Sequence, residues 1–101
     1  MSVNDLIAGL PGEALMREAL ADRQAGRSTI PACLIDIARP RLIRAGLIPA
    51  AMVSLLLEPE LQLYRLLRQQ GGDAYSRYNA LMRELVSFES ALDLRCRQSA
   101  T

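Results

Sequence analysis

The side chains able to do chemistry in this chain are two thiols, eleven carboxylates and twelve guanidinium groups, with no histidine and no lysine. Without an imidazole there is no Ser-His-Asp or Cys-His activation of a nucleophile and no histidine-based zinc site. Without lysine no Walker-type phosphate loop can be completed, and the glycine pair Gly71-Gly72 reads as a helix stop. Cys33 lies between Ile30 and Ile37 at helical spacing, so it reads as a small core residue. Cys96 lies near the C-terminus and is expected to be exposed. The two are not spaced as a CxxC pair, so neither redox nor metal chemistry is expected of them. No cofactor is expected, and the chain does not read as an enzyme.

The carboxylates include two pairs at i,i+4 spacing, Glu18 with Asp22 and Glu89 with Asp93. Such spacing can hold a metal when it faces inward. Here both pairs fall on the polar side of their helices and read as solvated surface. Asp36 stands apart, a lone acid on an apolar helix, and calls for an ion pair with Arg39 or with an arginine from another helix. Arg23 falls within an apolar stripe, where it would snorkel or bond the last carbonyls of a neighbouring helix. Arg39, Arg41 and Arg44 cluster around Pro40 and form a candidate anion or nucleic-acid edge. Two short helices broken at Pro40 would resemble a helix-turn-helix, but the second offers no Asn or Gln to read a base.

The elements that must position these groups are helical. Leu and Ala, which favour helices, far outnumber Val, Ile and Thr, which favour strands, and no run alternates strictly between apolar and polar. Ser2 caps a first short helix, with Asp5 as a capping-box partner. A second runs from about Pro11 to Ala25 and stops at Gly26, with Glu13 and Arg17 paired along it. Ser28 or Thr29 caps a third over 29–38, apolar around most of its circumference and therefore central. Pro40 ends it, and a short fourth helix follows to Ala45. Residues 47–57 read as linker or as a short helix over 50–56. A helix over 59–70 ends at Gly71-Gly72. The last is capped by Asp73, with Ala74, Tyr78, Leu81, Leu85, Phe88 and Leu92 in one seam and Asp73–Arg77 and Asp93–Arg97 as surface pairs. Residues 95–101 read as a frayed tail.

These elements predict one all-α domain over residues 1–101, a compact bundle of five to six helices, two of them short. At 101 residues, folding buries roughly 65% of the unfolded surface, enough for a core without a staple. The net charge of +1 does not suit a protein that coats nucleic acid. The longest uncharged stretch, residues 45–57, is too short to span a bilayer. The opening residues lack the positive start of an export signal, so a cytoplasmic protein is expected. Exclusive use of arginine, with abundant alanine, points to a bacterial genome. Half the residues are apolar, with broad stripes on several helices, which is more than one small domain readily covers. The expected function is a non-enzymatic protein-interaction module that self-associates as a homodimer. Its candidate surface is Leu55, Leu56, Leu57, Leu61 and Leu63, because three consecutive leucines cannot all face one core. Coverage of that surface by the chain's own short helices is the competing arrangement. A nucleic-acid-associated regulator using Arg39, Arg41 and Arg44 is the alternative function.

Overall fold

The computed structural model describes residues 2–51 and 57–99, with Ser99 defined in its backbone alone. Its five helices are α1 (Val3–Ile7), α2 (Glu13–Gln24), α3 (Ile30–Arg44), α4 (Pro59–Gln70) and α5 (Ala74–Ser99), and no strand occurs among the described residues. The all-α reading holds.

Local chemistry sets most boundaries where expected. The Ser2 hydroxyl accepts from the Asp5 N–H at 3.2 Å, and the Thr29 hydroxyl accepts from the Ala32 N–H at 3.2 Å. Asp73 accepts from the Ser76 N–H at 3.0 Å, which holds its carboxyl below the usual range. Gly71 and Gly72 both take positive φ and end α4. Gly12, at φ 79, starts α2 later than Pro11; a Cβ there would also lie 3.2 Å from Cγ of Glu84, so α5 approaches this turn closely.

Pro40 does not break its helix. α3 runs unbroken past it to Arg44, so the expected third and short fourth helices are one. Proline forfeits one intrahelical bond, which costs about 3 kcal/mol. On either side of it, however, Ala38 and Leu42 are buried in the core, and that packing holds the helix on course. Pro40 itself faces solvent.

α3 is the central element, in contact with α2, α4 and α5; α5 also packs on α4 and α1. Leu34, Ile35 and Leu42 of α3, Met16 of α2, Leu63 and Leu67 of α4, and Leu85, Phe88 and Leu92 of α5 are fully buried together. The seam expected on the last helix is therefore the one it buries. At about 1.5 Å per residue α5 is ~39 Å long, close to the longest dimension of a body measuring 45 × 26 × 18 Å. It stays helical through Ser99, past the point where the apolar pattern of its sequence fades. Leu47 and Ile48 are also core residues. The expected helix over 50–56 and the leucines Leu55 and Leu56 lie, apart from residues 50 and 51, outside the described residues.

Candidate functional site

Three places gather the polar groups singled out by sequence. The first is buried between α2 and α3. Arg23 and Asp36 face each other with Nε and Oδ1 3.6 Å apart, their side chains only 9% and 3% exposed. Asp36 thus faces an arginine from another helix, one of the two arrangements expected, and Arg23 holds its guanidinium in the interior against that acid. Asp22, expected on the surface, is also buried, because the chain after α2 folds back over it. It accepts from Arg27 Nε at 3.1 Å and from the Thr29 hydroxyl at 2.7 Å. The same hydroxyl caps α3, so one threonine joins a helix start to a buried acid.

The space enclosed by Arg23, Arg27, Ser28, Thr29, Ala32, Cys33 and Asp36 is about 10 Å³. That is no more than one water occupies, so the cluster is an internal polar joint without room for a substrate. Cys33 is 1% exposed. Burial, and secondly the charge of Asp36, push its thiol up to about 11. It is a core residue, as its spacing indicates.

The second place is the Arg39–Arg44 edge. With α3 continuous, no turn separates two helices, and the helix-turn-helix arrangement does not arise. Arg41 turns across to α5, with Nε 3.5 Å from Glu89 and Nη1 3.5 Å from Asp93. Glu89 and Asp93 are therefore not simply solvated, and Asp93 serves Arg41, a different cation from the expected Arg97. Burial raises the Glu89 carboxyl, with the Arg41 charge pulling the other way. Arg39 is also engaged in an interaction. Arg44, three residues after Arg41, lines a cleft of about 480 Å³ with Ala45, Asp93, Cys96 and Arg97. Cys96 is half-buried there rather than exposed.

The third place is the outward side of α4. Leu63, expected at a dimer surface, is 0% exposed and belongs to the chain's own core, because its side chain points at α3. Leu57 is fully exposed and Leu61 is 42% exposed. Tyr64 bridges to α5 through an edge-on contact with Tyr78, their ring centroids 6.0 Å apart.

One residue with a structural role was overlooked. Arg95 Nη1 donates toward the carbonyls of Asp5, Leu6 and Ala8 at 3.3, 3.0 and 2.6 Å and so closes the C-terminal end of α1. The signal was present: Arg95 follows Leu92 by three residues and occupies the next position of the buried seam. At the other end of α1, Arg17 joins Glu13 at 2.8 Å and the Asn4 side chain at 2.6 Å. Glu13 also accepts from the Gly9 N–H at 2.8 Å, the main reason its carboxyl titrates below the usual range. Arg77 turns back to Gly71 and Gln70 instead of pairing with Asp73.

Among the described residues no group of three or more Cys, Asp or Glu side chains is placed to hold a metal ion, and no helix is long and apolar enough to cross a membrane. No family model, no curated protein and no solved structure matches the chain.

Proposed function

We propose that this protein is a non-enzymatic interaction module that self-associates as a two-fold dimer through the outward side of α4. The observation that carries the reading is the exposure of Leu57 and Leu61 next to a helix whose inward leucines, Leu63 and Leu67, are fully buried. At about 100° per residue, Glu58, Leu61, Arg65 and Arg68 fall within ~80° of one another, and all four are exposed. Glu58 and Arg65 form no ion pair among the described residues.

The order acid, leucine, base along this side is self-complementary. If two copies of α4 lie antiparallel about an axis beside Leu61, Leu61 meets its counterpart and Glu58 faces Arg65 of the second copy. A two-fold contact of this kind matches one patch against itself. A stable interface takes about 800 Å² from each partner, roughly an eighth of the chain's 5948 Å² surface. α4, twelve residues and so roughly 18 Å long, supplies part of that area, and the stretch of α5 packed beside it extends the patch.

Sedimentation equilibrium tests the proposal. The chain should sediment with twice its mass at micromolar concentration, and Leu61→Glu should yield a folded single chain. Glu58→Arg alone should weaken association by placing like charges together, while Glu58→Arg combined with Arg65→Glu should restore it. A single-chain mass at every concentration would overturn the reading, as would a double variant no tighter than either single one.

A further inference from the structure

We propose that Arg41, Glu89 and Asp93 form a proton-operated latch between α3 and α5, which tightens the second half of α5, and α1 with it, onto the body as the medium turns mildly acidic. Arg41 Nε lies 3.5 Å from Glu89, and its Nη1 lies 3.5 Å from Asp93. Two carboxylates thus share one guanidinium. Both contacts are longer than the roughly 2.7–2.9 Å of a well-formed charge-assisted bond. With both acids ionised, the latch carries one more negative charge than positive.

The surroundings decide which acid takes a proton. The Glu89 side chain is 12% exposed and that of Asp93 28% exposed. Asp93 also shares the wall of a cleft with Arg44 and Arg97. The charges acting on Glu89 are Arg41 from α3 and Asp93 from its own helix, with none from α1 or α4 among the described residues. Glutamate is also the weaker acid of the two to begin with. Burial raises the Glu89 carboxyl; the Arg41 charge opposes that, and the Asp93 charge adds to it. The proton therefore goes to Glu89, and Arg41 is left to close on Asp93 alone.

The joint matters because of what hangs on it. α4, at twelve residues, is ~18 Å long against ~39 Å for α5. Running back along α5 from the turn at Gly71-Gly72, it flanks only the first half of that helix. The second half meets α3 through Arg41, and it meets α1 through Arg95, which donates to the carbonyls of Asp5, Leu6 and Ala8. Loosening this stretch loosens α1 too. A carboxyl raised in the folded chain binds its proton more tightly there than after the segment opens. Its stabilising contribution is complete below the ordinary value of 4.5 and is lost as pH rises through the raised one.

Hydrogen exchange of the full-length protein, read by mass spectrometry and corrected for the pH dependence of the intrinsic rate, tests the latch. From about pH 7.5 to about pH 5, peptides covering residues 90–98 and residues 3–8 should gain protection together, severalfold. Glu89→Gln copies the protonated form, so at the higher pH it should already show the protection that wild type reaches at the lower, with no step between. Arg41→Gln removes the shared cation and should move the step to higher pH. Asp93→Asn removes the competing charge and should move it to lower pH. A wild-type profile without a step, a step that persists in Glu89→Gln, or a step displaced in the same direction by Arg41→Gln and Asp93→Asn would overturn the proposal. Side-chain carboxyl carbon shifts of the wild type decide the matter should a variant fail to fold: the titration must belong to Glu89, and its assignment to Asp93 would overturn the proposal as well.

Discussion

Removing one partner of the Arg23–Asp36 pair is the sharpest probe of how α2 and α3 are joined. At the observed 3.6 Å and an effective dielectric near 20, the attraction is about 4–5 kcal/mol. Desolvating two charges costs a comparable amount, so the pair contributes little net stability. Removing Arg23 alone is different. Arg23→Met keeps most of the side-chain bulk but takes away the cation that faces the carboxylate of Asp36, whose side chain is 3% exposed. Removing one partner of a buried pair costs about 3–5 kcal/mol, a large share of the 5–15 kcal/mol typical of a domain. Replacing both, as Arg23→Met with Asp36→Leu, should return stability to within about 1 kcal/mol of wild type or above it. Urea unfolding followed by far-ultraviolet circular dichroism measures all four corners of the cycle. At an m-value of about 1–3 kcal/mol/M, the single variant's midpoint should fall by more than about 1 M. A coupling energy below about 0.5 kcal/mol would refute the reasoning, because it would mean that water screens the pair and that α2 does not seal it.

Leu85→Ala should cost about 2–5 kcal/mol, since Leu85 is 1% exposed in the α5 seam; a melting temperature within a degree or two of wild type would show that the seam is not buried. Pro40→Ala should stabilise the protein by up to about 3 kcal/mol by restoring an N–H to the interior of α3, as measured by thermal unfolding. A loss of about 0.4–1 kcal/mol would instead show that Pro40 acts chiefly by restraining the unfolded chain. Asp73→Asn keeps the cap but removes its titration. The folded carboxyl lies below its ordinary value, so its contribution is present above the unfolded value of about 3.9 and is lost as pH falls through the lower folded one. Stability measured from pH 5 down to pH 2 should therefore decline less steeply in the variant, and identical slopes would show that Asp73 does not bond Ser76 in solution.

Much of this fold is legible in the order of residues because helix periodicity and capping are local. The Asp73 cap, the 4-3-4-3-4 seam of α5, the stop at Gly71-Gly72 and the span of α4 need nothing beyond neighbours within a turn or two. The burial of Cys33 follows equally from its apolar company. Where local preference and packing disagree, packing prevails. Pro40 disfavours a helix by itself, yet α3 continues through it because the core accepts Ala38 and Leu42 only on an unbroken rod. Charge partners are the least local feature. Asp22, Asp36, Glu89 and Asp93 look alike along the chain. Their roles are set by Arg27, Arg23 and Arg41, two of them on other helices, and distance in sequence carries no record of distance in space. The same holds for Leu61 and Leu63. Both belong to one apolar arc, but a helix turns about 100° with each residue, and the position of α3 sends one into the core and leaves the other in water.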